Sequence, residues 1–259
     1  MIARRLRVLA SAVLAATLCG CHSAPTYQQP DHTKKPEPAQ AAVANMQMAL
    51  EYMRLNDLAR ARDRVERALG EAPENPSVQE TAGLVYERLN EISKARRAFQ
   101  TAARLGKDNP DILNSYAGFL CRTGKAKEGE KLFIQVAASP LYRTPEVALV
   151  NAGTCVGEAG DVLDADRYFN RALAVRPNMP VALLQLGNLA YGRGDYAQTL
   201  DYVQRYLAVN PPSPEILLLG LHAQHKLGDN TAAAAFGRRI EAEFPDSEQA
   251  QALRSGLDR

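Results

Sequence analysis

Small, bulky and proline positions recur along the chain with a period of 34 residues. Within the repeating frame, residue 8 is small, residue 20 is usually Ala, residue 24 is bulky, residue 27 is small and residue 32 is often Pro. Frames begin at residues 42, 76, 110, 146, 180 and 214, so the spacing lengthens to 36 once, between the third and fourth frames. Small residues at 8 and 20 allow two helices of one frame to cross closely. The pattern therefore predicts six helix–turn–helix repeats.

Helix breakers support this division of each frame. They separate the first helix from the second at Asn56-Asp57, Gly124, Gly160-Asp161, Gly194-Asp195 and Gly228-Asp229. Pro at frame position 32 ends the second helix, because it lacks an N–H and crowds the preceding turn. After the sixth repeat, Asp246-Ser247 can cap a final helix that covers the open end.

The period and its small positions resemble tetratricopeptide (TPR) repeats, whose unit is 34 residues. The predicted fold class is all-α, a right-handed TPR solenoid, because no repeat can bury its apolar face alone. We expect repeats at 42–75, 76–109, 110–145, 146–179, 180–213 and 214–247, followed by a capping helix at 248–259.

The N-terminus has the pattern of a lipoprotein export signal. Three arginines precede the apolar run 8–18, which is too short to cross a bilayer and has the length of a signal-peptide core. The run ends in Leu18-Cys19-Gly20-Cys21, which resembles a bacterial lipobox. The resemblance implies that residues 1–20 are removed and that Cys21 is lipidated, with enough acyl chains for stable anchoring. An ordinary signal peptide or a buried N-terminal helix is the alternative.

The residues from Cys21 onward predict where the lipoprotein is sorted and how its repeats are tethered to the membrane. His22 is not Asp, so the usual sorting rule of such lipoproteins favours the outer membrane, with the protein facing the periplasm. Residues 21–41 are rich in Pro and polar residues, and we expect a flexible tether there.

The formal net charge is +2, and loss of the three leader arginines leaves 28 basic and 29 acidic residues. A near-neutral chain without a basic stripe gives no electrostatic reason to expect nucleic acid.

No catalytic constellation is present in the sequence. His222 and His225 share one helix at a spacing that could bind a metal, but no third ligand of the usual kind follows, and solvent-facing or groove-lining histidines are the simpler interpretation. Gly-rich phosphate loops and nucleophile elbows are absent too. We therefore expect no enzyme activity, no metal, no cofactor and no small-molecule substrate.

Two cysteines remain after the leader and the lipidated Cys21. Cys121 and Cys155 lie at similar levels on the first helices of the third and fourth repeats, and these helices pack side by side. A disulfide is therefore sterically reasonable in an oxidising compartment. Two buried free thiols, acting as small apolar side chains, are the alternative.

Three central segments resemble a more specific family. Residues 114–125 (NSYAGFLCRTGK), 140–145 (PLYRTP) and 151–155 (NAGTC) are similar to a signature of the PilF/PilW family of type IV pilus biogenesis lipoproteins. The similarity runs from the lipobox to the last repeat. It implies a pilotin, which binds the secretin PilQ and promotes its outer-membrane localisation and multimer assembly, and hence pilus biogenesis and twitching motility. Two features depart from the pattern: Gly129 replaces a usual Ala, and the sixth repeat is degenerate.

The first repeat offers the most apolar binding surface. Frame positions 2, 5, 9, 12 and 13 of the first helices line the concave groove of such a solenoid. At these positions we expect a partner-binding groove formed by Val43, Met46, Leu50 and Met53, with Leu84 from the second repeat. Met48, Ala49 and Tyr52 should instead contact the second helix. The alternative for this surface is that the tether covers it. The alternative to the pilotin function is a general cell-envelope TPR scaffold for a different periplasmic machine.

Overall fold

The computed structural model describes residues 37–256, which form thirteen α-helices and no strand. The helices are α1 (Pro38–Arg54), α2 (Leu58–Glu71), α3 (Pro76–Arg88), α4 (Ile92–Leu105), α5 (Pro110–Arg122), α6 (Ala126–Ala138), α7 (Pro145–Glu158), α8 (Val162–Val175), α9 (Pro180–Gly192), α10 (Tyr196–Val209), α11 (Pro214–Lys226), α12 (Asn230–Glu243) and α13 (Glu248–Ser255).

The helices pack as six consecutive pairs. Each pair also contacts the first helix of the next pair, and α13 packs on α11 and α12 at the C-terminal end. The predicted all-α solenoid is therefore confirmed. Within residues 37–256, no helix is long and apolar enough to cross a membrane.

Every first helix of a pair begins at a proline, from Pro38 in α1 to Pro214 in α11. The first helical position suits proline, because an N–H there has no partner within the helix and the fixed φ already matches helical geometry. Asn75 and Asn109 precede two of these prolines, and their side chains accept hydrogen bonds from the first backbone N–H groups. Asn75 and Asn109 thus pair N–H groups that α3 and α5 cannot satisfy within the helix, and so fix where these two helices begin.

The turns inside the pairs share a left-handed residue. Gly124, Gly160, Gly194 and Gly228 have φ between 77° and 92°, and Asn56 and Asn90 take the same role at 57° and 59°. In four turns the next residue is an aspartate whose side chain accepts a hydrogen bond from the N–H three residues on: Asp57, Asp161, Asp195 and Asp229. Asn90 was not predicted as a breaker, because Glu91 follows it and makes no side-chain cap, whereas Asn56 is followed by Asp57, which caps α2.

Small residues are required where the two helices of a pair cross. A Cβ on Gly83 would lie 2.8 Å from the ring of Phe99, and one on Gly153 would lie 2.7 Å from the ring of Phe169. Ala61, Ala95 and Ala165, at frame position 20, are fully buried. The aromatic residues at position 24 thus fill space that only small residues leave open.

Three helix ends lie within one to four residues of the predicted boundaries. The tether was expected to extend to residue 41, but α1 begins at Pro38, since proline and the alanines after it are well suited to a helix start. Helix α7 begins at Pro145, one residue before the predicted frame. The capping helix ends at Ser255 instead of continuing, because Gly256 adopts a left-handed conformation (φ 74°) that closes it.

Candidate partner-binding groove

The predicted groove residues of the first repeat form one stripe along α1. Val43, Met46, Leu50 and Met53 recur at helical spacing, and we call their surface the first groove. Val43 and Leu50 are 38% and 40% exposed. Met46 packs against a buried cluster that contains Val78, and Met53 packs against a second cluster with Ala82 and Val85. Met46 and Met53 are therefore the packed part of the stripe, and Val43 and Leu50 are its exposed part.

Met48 is more exposed than its predicted place at the α1–α2 contact implies. It was expected to contact α2 together with Ala49 and Tyr52, but it is 37% exposed, whereas Ala49 is fully buried. Within residues 37–256 no helix precedes α1, so the repeat neighbour that the inner first helices have is missing there. The equivalent residues Ala82 and Ala152 are fully buried within the solenoid. Met48 thus lies at the N-terminal end of the part of the solenoid that the structure describes, on a different surface from the first groove.

A buried polar residue that the sequence did not reveal holds α1 against α2. Asn45 is nearly buried, and its Nδ2 donates to the Glu71 carboxylate at 3.0 Å. The Arg64 guanidinium donates to its Oδ1 at 3.3 Å. Because a buried carboxamide is costly without partners, this network fixes the rotation of α1 about its axis. It thereby sets the direction in which the first groove faces.

The middle repeats form an open pocket of about 410 Å³ between α3, α5, α6 and α7, which we call the central pocket. Leu84 contributes to this cavity. The other wall residues include Asn114, Gly118, Arg122, Asn151 and Thr154. The predicted groove residues thus fall into two regions, an apolar one on α1 and a mixed one around Leu84.

Cys121 and Cys155 form a disulfide beside this pocket, joining α5 to α7 across 34 residues of sequence. Their Cα atoms are 5.4 Å apart. Gly129 of α6 lies against the bond, because a Cβ there would overlap the Cys121 sulfur and lie 2.8 Å from the carbonyl oxygen of Ala117. The glycine that departs from the repeat pattern is thus explained by the sulfur beside it.

An ion pair spans the second and third repeats at the edge of the pocket. The Arg122 Nε and Nη2 donate to the two Glu87 carboxylate oxygens at 2.7 and 3.0 Å. Hydrogen bonding to Glu87 raises the pKa of Arg122 further above its ordinary value, and the charge of Glu158 adds to this effect. Gly118 permits the arrangement, because a Cβ there would lie 3.0 Å from Arg122 Nη1.

Glu80 is the most perturbed acid of this face. Burial raises the pKa of its carboxyl; a hydrogen bond with Ser115 lowers it, and the negative charge of Asp111 raises it again. The groove is therefore less favourable to an additional negative charge near Glu80 than an open surface would be. Glu80 and Asp111 stand at groove positions 5 and 2 of their frames, but the sequence gave no sign of this coupling.

A second network lies at the turns of the third and fourth repeats. Lys127 Nζ contacts Asp161, Glu130 and Asp164 at 3.2 to 3.7 Å. The Tyr168 hydroxyl donates to Glu130 at 2.6 Å. Hydrogen bonds to Asp161 and Glu130 raise the pKa of Lys127. The network joins α6 to α8 and continues the bridging that the disulfide provides between α5 and α7.

The lipidation and sorting predictions at Cys21 and His22 lie outside the described residues. Among residues 37–256, no group of three or more His, Cys, Asp or Glu side chains could hold a metal ion. The ring of His222 lies 6.2 Å from that of Tyr191, at the C-terminal end of the first-helix face.

Comparison with known proteins supports the repeat assignment over most of the chain. A tetratricopeptide-repeat family model matches residues 46–110, 80–142, 156–214 and 184–248. No curated protein matches the chain in sequence. Tetratricopeptide proteins bind protein partners, and scaffolds of this fold are typically non-enzymatic.

Solved structures include similar TPR proteins. PilW, a widely conserved type IV pilus biogenesis factor, is 31% identical, with 83% of this chain and 98% of PilW covered at a TM-score of 0.70. PilF of Pseudomonas aeruginosa is 21% identical, with 85% and 100% covered and a TM-score of 0.67. A tetratricopeptide repeat protein from Parabacteroides merdae is 15% identical, with 82% and 83% covered and a TM-score of 0.58. At these identities, the last two show the fold alone. The chain thus belongs to the tetratricopeptide-repeat family and is related to the type IV pilus biogenesis factor PilW.

Proposed function

We propose that this protein is an outer-membrane lipoprotein pilotin. In this role it binds a PilQ-like secretin of the type IV pilus and promotes its localisation and assembly into multimers. The relation to PilW supports a partner in the pilus machinery, and the lipobox-like segment that ends at Cys21 supports a lipid anchor. The contribution of the protein is binding, with no chemical step of its own.

The first groove is the observation that carries the proposal. Val43 and Leu50 are apolar residues with a large exposed fraction, while Met46 and Met53 pack against buried clusters. An apolar helix or strand of the secretin would remove this surface from water. Burying one such side chain fully contributes roughly 1.5–3 kcal/mol, which corresponds to one to two decades of affinity. Met side chains also adapt to partners of different shape.

A charge at Leu50 tests the site. Leu50→Glu places a carboxylate against the apolar ligand, so capture of the cognate secretin by the purified protein should fall by at least tenfold. The matched control is Met48→Glu, since Met48 has nearly the same exposure and lies two residues away, about 200° around α1. Met48→Glu should bind the secretin like the wild type.

Thermal melting separates a binding defect from misfolding. Both variants should melt within a few degrees of the wild type, because both side chains already contact water. Equal secretin capture by wild type and Leu50→Glu would remove the first groove as the docking site. Normal secretin multimers in a deletion strain would refute the pilotin role and favour a scaffold for another envelope machine.

A further inference from the structure

We infer that the outer face of α4 contacts anionic phospholipid headgroups of the membrane that holds the anchor, and that this contact turns the first-helix face toward the periplasm. The inference rests on the proposed function for the lipid anchor at Cys21. It adds a membrane-contacting surface formed by Lys94, Arg97 and Arg104, which we call the basic face.

The composition of α4 differs from that of the other second helices. Helix α4 contains the cationic residues Lys94, Arg96, Arg97 and Arg104 and no acidic residue. Helices α2, α6, α8, α10 and α12 each carry at least one aspartate or glutamate beside their cationic residues. The near-neutral charge of the whole chain conceals this difference, because acidic residues elsewhere balance the cations of α4 in the sum.

The cations of the basic face lie along one side of the helix. Lys94, Arg97 and Arg104 are exposed, and their spacing places them within about 80° of one another around α4 and along about 15 Å of its axis. The other side of α4 is buried, and Ala95 and Phe99 pack there in one cluster with residues of α3. The basic face therefore points away from α3.

Two of these cations have their charge available for a ligand. The side chains of Arg97 and Arg104 form no ion pair and no hydrogen bond within residues 37–256. Lys94 Nζ contacts Glu91 Oε2 at 2.7 Å, so its charge is partly balanced. An anionic surface would thus interact mainly with the two arginines, whose guanidinium groups match phosphate geometry.

The opposite face of the middle repeats carries negative charge. Glu80 on α3 and Asp111 on α5 stand at groove positions, and Glu158 on α7 lines the central pocket. An anionic bilayer attracts the basic face and repels this acidic one, so both effects favour the same orientation. Cations spread over about 15 Å of an outer helix surface also suit an array of headgroups better than one small anion.

The position of α4 relative to the anchor suits this contact. Residues 22–37 lie between Cys21 and α1, and a segment of this length reaches at most about 55 Å when extended. Helix α4 packs on α3, and α3 packs on α1, so the axis of α4 lies within about 20 Å of α1. The anchor thus keeps the basic face at a high effective concentration near the membrane.

Fluorescence quenching by headgroup spin-labelled lipid measures the contact. The full mature lipoprotein carries a fluorophore at Gln100→Cys, an exposed position of α4, because the bonded Cys121 and Cys155 do not compete for the label. Gln204→Cys is the matched probe, since an exposed glutamine stands at the same frame position on α10. Vesicles of phosphatidylcholine, with and without phosphatidylglycerol, hold the protein. Phosphatidylglycerol should increase quenching at Gln100→Cys and leave Gln204→Cys nearly unchanged.

Charge variants in the Gln100→Cys background test the two arginines. Each cation near an anionic surface contributes about fivefold to the ratio of contacting to free protein, so Arg97→Gln/Arg104→Gln should lower this ratio about 25-fold. Arg143→Gln/Arg176→Gln removes the same charge at exposed positions outside α4 and should leave the quenching unchanged. High salt should abolish the effect of phosphatidylglycerol in the unmodified background.

The outcomes separate this inference from the pilotin role. Equal quenching at Gln100→Cys in both kinds of vesicle would overturn the membrane contact, while secretin capture by the same sample would leave the pilotin role intact. Loss of secretin capture by Arg97→Gln/Arg104→Gln in detergent, with quenching unchanged, would overturn it as well and assign the basic face to an acidic protein partner. Protein that does not stay with phosphatidylcholine vesicles would refute the anchor, whereas its binding to phosphatidylglycerol vesicles through the two arginines would still support the basic face.

Discussion

Gly129 lies so close to the Cys121 sulfur that no side chain larger than hydrogen fits at position 129. A Cβ on Gly129 would overlap the Cys121 sulfur and lie 2.8 Å from the carbonyl oxygen of Ala117. The α5–α6 crossing is therefore matched to the disulfide. The usual alanine of the repeat is incompatible with the sulfur at this position.

Gly129→Ala should accordingly destabilise the protein. Overpacking of this kind costs about 1–3 kcal/mol, and denaturant unfolding measures it. Gly70→Ala is the control, since no atom lies within 4 Å of the added methyl group; it should be neutral or stabilise α2 by up to about 1 kcal/mol. In a Cys121→Ala background the overlap with sulfur disappears, so Gly129→Ala should cost less there. Equal costs in both backgrounds would show that the backbone oxygen alone sets the limit.

Removal of the disulfide should lower the free energy of unfolding by about 3–4 kcal/mol. The closed loop of 34 residues restricts the unfolded chain, and loss of this restriction is the main effect. Urea unfolding of Cys121→Ala/Cys155→Ala, compared with wild type with and without reductant, measures the change. The double variant should not respond to reductant. A wild type that is equally indifferent to reductant would contradict a bonded pair.

Glu80 should make stability depend on pH. Its pKa is raised in the folded state, mainly by burial, so its contribution is fully present below the unfolded pKa and is lost as pH rises through the folded pKa. Glu80→Gln should therefore raise the melting temperature at neutral pH by a few degrees at most. The gain should vanish below about pH 4, where both states carry a protonated carboxyl. Glu74→Gln, at an exposed position, should show no such dependence; an equal response of the two variants would contradict the assignment.

The anchor proposal predicts a separation of folding from sorting. Cys21→Ser should leave the protein uncleaved or unanchored, and secretin multimers should fail to appear in the outer membrane, although the repeat domain stays folded. Membrane fractionation and gel analysis of secretin multimers measure both effects. His22→Asp is the companion variant, which should keep the lipid and hold the protein at the inner membrane. Normal sorting of Cys21→Ser would refute lipidation at this residue.

The fold could be predicted because its signals are local and repeat six times. Proline at a helix start and glycine in a turn act through backbone geometry alone, so Pro110 and Gly124 can be placed from the sequence. Asn90 was missed because no capping aspartate follows it, whereas Asn56 is followed by Asp57. The exposure of Met48 was not predicted because the frame treats all repeats alike, whereas α1 is the first helix of the described residues.

The candidate site was predicted only in part. Periodicity placed Val43, Met46 and Leu50 on one stripe of α1. It could not reveal the Asn45–Glu71 contact or the Asn114–Asn151 hydrogen bond, since these depend on how side chains 26 and 37 residues apart are directed after folding. The length of the terminal helix depended on Gly256, a C-cap signal in the sequence that the predicted boundary did not use.

The disulfide also limits how the solenoid can respond to tension. A segment of 34 residues would extend to about 115 Å if drawn out fully, but the bond holds its ends 5.4 Å apart at the Cα atoms. When the chain is pulled from its termini, the ring closed by Cys121 and Cys155 cannot be drawn out. The outer repeats can then unfold one by one. The segment between Cys121 and Cys155 cannot be extended, so about 110 Å of contour length is not released.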